Sequence, residues 1–326
     1  MLKLRSASGL IDGFVAALLA VGVFASLLPC RGNMAVFFEF ATDAGIVLLF
    51  FLHGAKLSRQ AIVDGMLNWR LQFAALTVTF SLFPILGLLL IRIPGVDPAL
   101  VTGALYLTLL PSTVQSSIAF TSIAGGNVPA AVCAATLSNL LGMFITPFLV
   151  AMLMQVAGTQ VHISLDSMKN IALQLLLPFV VGHLARPWVA SWIGRHKSLI
   201  GRMDRGTILM VVYTAISASV VDGLWARLSF MSLIVMTILS CGLLALVLAI
   251  CWVLAGWLGL GREDSIVLLF CGSKKSLASG VPMAGTLFPA AEVGIIILPL
   301  MIFHQIQLIV CALIAKRFAK SKCRTS

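Results

Sequence analysis

The sequence predicts an all-α integral membrane protein with ten transmembrane helices. They form two inverted five-helix repeats in which helices four and nine are broken, with the breaks facing each other near the midplane. Three observations carry this expectation: an apolar composition, two polar interruptions about half a chain apart, and basic residues that favour alternate loops. Of the 326 residues, 60% are hydrophobic and 10% are charged, and the mean hydropathy is +1.08. A soluble domain carries about 25% charged residues. The net charge of +11 would point to nucleic acid in a soluble protein. Here it sits in short loops and at the chain ends, where it sets topology and meets lipid headgroups. No nucleic-acid-binding module accompanies it.

Runs long enough to cross ~30 Å of hydrocarbon fall at about 9–28, 42–57, 71–91, 99–124, 128–154, 169–190, 206–222, 229–259, 263–288 and 290–315. With the N-terminus inside, inner segments hold 16 of the basic residues and outer loops hold four, Arg31, Arg92, Lys169 and Arg227. This asymmetry predicts cytoplasmic N- and C-termini in a bacterial inner membrane. Lys3 and Arg5 before an apolar run resemble a signal peptide, but the many later spans and the lack of a small-residue cleavage site favour a retained first helix. The first repeat then covers 1–154, a connecting loop 155–168, and the second repeat 169–326 with a basic tail from Lys316. Because each half has an odd number of helices, the halves have opposite orientation. The seven cysteines are scattered through apolar runs and read as small buried hydrophobes, not as disulfides or metal ligands.

The first interruption follows Pro111, which removes one backbone donor and disfavours helix at Leu110. Ser112, Thr113, Gln115, Ser116 and Ser117 come next, in otherwise apolar surroundings. Lipid offers freed backbone groups no partner, so such a break is tolerated only where protein or water surrounds it. Paired breaks in corresponding positions of two halves point to a transporter's substrate site. The half-helix beginning near Ser116 also aims a positive dipole end into the site, which suits an anion. The plainer alternative is that the hydroxyls patch a proline kink.

The second interruption is Cys271, Gly272, Ser273, Lys274, Lys275 and Ser276. A lysine at mid-membrane costs at least ~3 kcal/mol on insertion scales, so it needs a partner or a task. The alternative is that both lysines snorkel to an interface. His304 and Gln307, three residues apart, share a helix face in the tenth span; they join helices or line a pathway, and His304 is a candidate proton carrier. Asn139, Ser138 and Gln72 are weaker candidates of the same kind. Asp43 and Glu292 read as solvated charges near span ends, and His53, Lys56 and Arg59 as an inner-face cap. A Ser/Lys pair also occurs in membrane-embedded hydrolases, but no water-exposed catalytic domain or oxyanion turn accompanies it here.

The stretches FLHGAKLSR (51–59), LPSTVQSSIAFTSIAGGNVPAAVC (110–133), LLLPFVVGHLARPW (175–188), CGSKKSLASGVPMAGTLFP (271–289) and LPLMIFHQIQLIVCA (298–312) resemble the bile acid:sodium symporter superfamily. Within it they resemble the bacterial YfeH-type group, which is similar to the vertebrate seventh-member branch. The resemblance implies a core domain holding the crossed helices, a panel of the first, second, sixth and seventh helices, and alternating access. It places the polar pair of one sodium site on Ser116 and Ser117. The hydroxyl positions of that site fall on Ala131 and Ala135, with Thr136 beside one of them. A Glu and a Gln four residues apart in the ninth helix of bile acid carriers become Cys271 and Lys275. A lysine ammonium can take the space and charge of a sodium ion, so the departure implies sodium independence.

The expectation is therefore a secondary carrier for a small organic anion, coupled to sodium or to protons, or uncoupled, with no cofactor beyond Na+. Substrate contacts are expected from Ser112, Thr113, Gln115, Ser273, Lys274, Lys275, Ser276, His304 and Gln307. Ion contacts are expected from Ser116, Ser117, Thr136 and Asn139. Membrane lipids are the other expected partner. The vertebrate branch's association with calcium regulation leaves a non-transporting role in cation homeostasis as the alternative.

Overall fold

The computed structural model describes residues 13–56, 68–93, 97–156, 172–223 and 228–322. Lys3, Arg5, Arg59, Lys169, Arg227 and Arg324 lie outside them, as does most of the expected loop at 155–168. Among the described residues every regular element is helical. In chain order these are α1 (Gly13–Leu27), α2 (Asn33–Lys56) and α3 (Trp69–Leu90). Then come α4 (Pro98–Leu109), α5 (Gln115–Ala124), α6 (Val128–Val156) and α7 (Leu173–Arg195). The rest are α8 (Lys197–Val221), α9 (Phe230–Trp257), α10 (Arg262–Gly272), α11 (Leu277–Leu287) and α12 (Ala290–Lys322). Seven of these, α2, α3, α6, α7, α8, α9 and α12, are long and apolar enough to cross a membrane. The expected fourth span is the pair α4 and α5, and the expected ninth is the pair α10 and α11.

Two expected loops are helical instead. α2 begins at Asn33, so Asp43 lies within a helix, on an exposed face, rather than at a span end. Between α7 and α8 only His196 departs from helix. Segment 191–205 looked like a loop because it is polar, yet its Arg, Lys, Met and Ile residues are adequate helix formers. Hydropathy marks where a helix stops being apolar, not where it ends. Glu292 is exposed in the first turn of α12, as expected.

The helices sort by contact into two groups. α2 packs along α7 and also against α8, which covers α1. The other group holds α3 to α6 and α9 to α12, joined to the first mainly through α8, which touches α11 and α12. The α2–α7 contact rests on two glycines. A Cβ on Gly54 would strike the Phe179 carbonyl oxygen, and one on Gly182 would strike the Phe51 carbonyl oxygen. Each glycine admits the other helix's backbone. Without a hydrophobic drive inside lipid, this close approach is what packing has to offer.

The helix ends also sort consistently. Lys56 at the end of α2 pairs with Asp204 on α8 at 2.5 Å, and Asp264 in the first turn of α10 accepts from Asn68 (2.7 Å) and Asn127 (2.9 Å). Asp97 on the α3–α4 segment accepts from Ser232 at 2.6 Å, and Tyr213 donates to the Leu28 carbonyl at 3.1 Å. Gly182→Val is expected to lower stability by about 1–3 kcal/mol or more, the cost of overpacking. Gly201→Ala, which meets nothing within 4 Å, is expected to leave the melting temperature of purified protein unchanged or slightly raised.

Candidate functional site

The two breaks meet, and each satisfies the other's freed backbone. The Ser276 N–H donates to the Pro111 carbonyl at 2.8 Å, and Ser112 Oγ donates to the Cys271 carbonyl at 2.5 Å. Ser117 Oγ adds a bond to the Phe270 carbonyl at 3.0 Å. The crossing is close because Gly280 and Gly142 lack side chains. A Cβ on Gly280 would press on Leu110 and Leu300, and one on Gly142 on the Pro111 ring. Tyr106 locks the arrangement by donating to the Gly280 carbonyl at 2.7 Å.

α6 supplies the remaining partners. Ser138 Oγ accepts from the Ser112 N–H at 3.0 Å, and Thr146 Oγ1 donates to the Leu109 carbonyl at 2.8 Å. Asn139 Nδ2 donates to the Ser112 carbonyl at 2.8 Å, and its Oδ1 accepts from Ser279 Oγ at 2.7 Å. Asn139 thus links both breaks. Ser276 N-caps α11 by accepting from the Ser279 N–H at 3.2 Å.

Lys275 lies at the centre, wholly buried. Its Nζ donates to the carbonyls of Thr79 (2.9 Å), Thr108 (2.8 Å) and Leu110 (2.7 Å). An ammonium has three donors, and all three are used. Each acceptor is available for a local reason. In α3 the helix widens to a π-turn over Val78–Leu82, where the Phe83 N–H bonds Val78. In that register Thr79 would next be bonded by residue 84, which is proline and has no N–H. Thr108 loses its helical donor because the Ser112 N–H turns to Ser138. Leu110 loses its own where the chain unwinds before α5. The Phe83 ring, 4.1 Å from Nζ, closes the cage.

Gln307, also wholly buried, holds the lysine's backbone. Its Oε1 accepts from the Lys275 N–H at 2.9 Å, and its Nε2 donates to the Lys275 carbonyl at 2.9 Å. The backbone N–H fixes which way the amide faces, so Nε2 must be the donor to His304 Nδ1, 2.8 Å away. That makes His304 Nδ1 an acceptor, with any ring proton on Nε2.

Lys274 points elsewhere and is different in kind. It is equally buried, yet its Nζ has no hydrogen-bond partner. It rests 4.2 Å from the centre of the Phe120 ring and 5.3 Å from that of Phe270. Neither lysine snorkels, and neither bonds a serine, so no Ser–Lys dyad exists among the described residues.

The structure therefore brings together Ser112, Thr113, Ser116, Ser117, Asn139, Lys275, Ser276, His304 and Gln307. Thr113 Oγ1 is 2.9 Å from Ser116 Oγ and 3.0 Å from Ser117 Oγ, a compact hydroxyl group. Ser273 spends its hydroxyl on the Leu269 carbonyl, 2.5 Å away in its own helix. Gln115 is exposed on the first turn of α5, on one face with Ala119 and Ser122, and Thr136 is half-buried on α6. Cys271 Sγ lies 3.8 Å from the Ala131 carbonyl. Ser279 and Pro84 escaped the sequence reading. Ser279 carries a signal, a serine three residues after the capping Ser276. Pro84 acts through a backbone register that sequence does not show.

The sequence profile of the SBF-like CPA transporter family matches residues 12–320. Over 313 residues the chain is 52% identical to an uncharacterized protein of Pseudomonas aeruginosa, covering 95% of this chain and 94% of that one. It is 51% identical, at the same coverage, to the Escherichia coli protein YfeH, provisionally named a symporter. It is 25% identical over 269 residues to sodium/bile acid cotransporter 7 of Rattus norvegicus, covering 81% and 78% of the two chains. Replacing Gln307 by Leu would orphan a buried N–H and a buried C=O. The expected cost is about 2–4 kcal/mol, read as a lower melting temperature of the purified variant.

Proposed function

Because this chain belongs to the SBF-like CPA transporter family, we propose that it is a secondary carrier moving a small organic anion across a bacterial inner membrane by alternating access. The family is one of transporters, not enzymes. One observation carries the reading: two broken helices meet at their breaks around two wholly buried lysines. Lys275 is used structurally, but a scaffold would gain nothing from burying the Lys274 ammonium without an acceptor, at a cost of at least ~3 kcal/mol in a membrane.

Ten spans and an inverted repeat fit the packing. If spans one to five correspond to six to ten, a two-fold axis exchanges the α2–α7 contact with α8–α1. It likewise exchanges α3–α6 with α9–α12, and α4–α12 with α10–α6. All six contacts occur. The contacts at the helix ends fit termini on the same side, and the excess of basic residues there makes that side cytoplasmic. The group of α1, α2, α7 and α8 would serve as the panel, and the rest as the moving core.

Within this reading the lysines have separate tasks. Lys275 is a resident cation that holds the crossing together. Lys274, left without an acceptor, is the charge that a substrate anion meets. The open face of α5 with Gln115, the half-exposed Ser116 and the Thr113 hydroxyl complete the anion site. Relatives named for sodium and bile acid suggest a sodium-coupled ancestor. A sodium ion does not fit at Lys275, where an ammonium already occupies the carbonyl cage. At the other proposed ion contacts, Asn139 Oδ1 is committed to Ser279, so Ser116, Ser117 and Thr136 would have to suffice.

Purified protein is expected to melt at the same temperature in sodium, potassium and choline salts. Mono- and dicarboxylates, sulfonates and conjugated sterol acids, screened in choline salts, should include at least one that raises it by mass action. Lys274→Met should abolish that shift and uptake of the same anion by proteoliposomes, whereas Gly201→Ala, remote from the breaks and with nothing within 4 Å of the added methyl, should keep both. Sodium-specific stabilisation of the wild type, or an anion response that survives Lys274→Met, would refute the assignment.

A further inference from the structure

A groove of about 350 Å³ lies on the flank of the molecule between the start of α3 and the end of α9. It is lined by Trp69, Arg70, Phe73, Thr77, Leu254 and Trp257, among others. Its size falls within the ~300–1,000 Å³ range of ligand pockets. Trp69 and Phe73 are each 66% exposed and Trp257 is 89% exposed. The groove lies one helix away from the substrate crossing and belongs to neither break.

Three features of the groove select an occupant. Its walls are almost wholly apolar, which suits a hydrocarbon chain. Two tryptophans flank it at helix ends, the depth at which indole rings sit between hydrocarbon and headgroup. The charge at its rim is cationic: the Arg70 guanidinium stands 5.8 Å over the Trp69 ring, with no acidic residue among the lining side chains. Apolar walls, an aromatic rim and one fixed guanidinium match a phospholipid with a net negative headgroup. A zwitterionic lipid would bring its own cation to the arginine. We propose that this groove is a binding site for an anionic phospholipid of the inner leaflet, with the phosphate on Arg70 and an acyl chain along Phe73 and Leu254.

The site reaches the carrier through α3. Thr77, in the groove wall, is two residues before Thr79, whose carbonyl holds Lys275. A lipid that braces this stretch of α3 braces one leg of the cage. The placement on the inner side rests on the topology proposed above, whereas the lipid's preference for the groove does not.

The test uses full-length protein delipidated in neutral detergent and titrated with phosphatidylglycerol or phosphatidylcholine. Melting temperature and native mass spectrometry give the readouts. Phosphatidylglycerol is expected to bind more tightly, and Arg70→Gln to weaken it about five-fold, in line with ~1 kcal/mol per basic residue at a membrane surface. Affinity for phosphatidylcholine should stay unchanged in that variant. Trp257→Ala should weaken both lipids. Arg202→Gln, a surface arginine that bonds only within its own helix, should keep the wild-type preference. Equal affinity for the two lipids, or a preference that survives Arg70→Gln, would overturn the proposal.

Discussion

Everything at the centre of this protein depends on where one ammonium finds its hydrogen bonds. A membrane interior punishes an unpaired carbonyl and an unpaired lysine alike. Here each removes the other's cost. Three carbonyls lose their helical donors, at a π-turn followed by proline and at an unwound segment, and Lys275 supplies three donors to them. Neither part is stable alone. The cage joins α3, the first break and the second break, so it also fixes how the two crossed helices sit. The remaining polar groups follow from that constraint. Gln307 holds the lysine's backbone, Asn139 bridges the breaks, and Ser112 and Ser276 exchange bonds across the crossing.

The contrast between adjacent lysines gives the site its chemistry. Successive residues leaving a helix point in different directions, so Lys275 reaches α3 and α4 while Lys274 turns toward the Phe120 and Phe270 rings. One charge is spent on structure and the other is held in reserve. Aromatic faces tolerate a cation without neutralising it, and in the proposed function this leaves Lys274 to meet the substrate anion. The hydroxyl cluster of Thr113, Ser116 and Ser117 lies at the start of α5, beside the same break.

Much of this was legible in the chain, because lipid makes polar residues conspicuous. The breaks at Pro111 and Gly272, the lysine pair, and the Asn139 and Gln307 amides stood out as polar residues in apolar runs, and the structure gathers them. Helix ends were less legible. The segment 191–205 carries enough polar residues to resemble a loop, and Asn33 and Glu39 interrupt the apolar run at the start of α2, yet nothing in either stretch breaks a helix. The cage itself was hidden, since its acceptors are backbone carbonyls whose side chains give no sign of it. Pro111 marks where two of them are freed, while the effect of Pro84 on the third appears only once the register of α3 is known. Nor could spacing tell Lys274 from Lys275, because that difference lies in which neighbours each one meets across the crossing.

The central claim is that Lys275 serves as a tethered cation, and cutting the tether tests it most directly. Lys275→Ala would leave three inward carbonyls around an empty space of ammonium size. If the account holds, the variant melts well below the wild type in choline chloride and regains a large part of the loss in millimolar methylammonium, ammonium or sodium. The wild type should respond to none of them. A variant that melts as the wild type does, or whose loss no small cation restores, would contradict it.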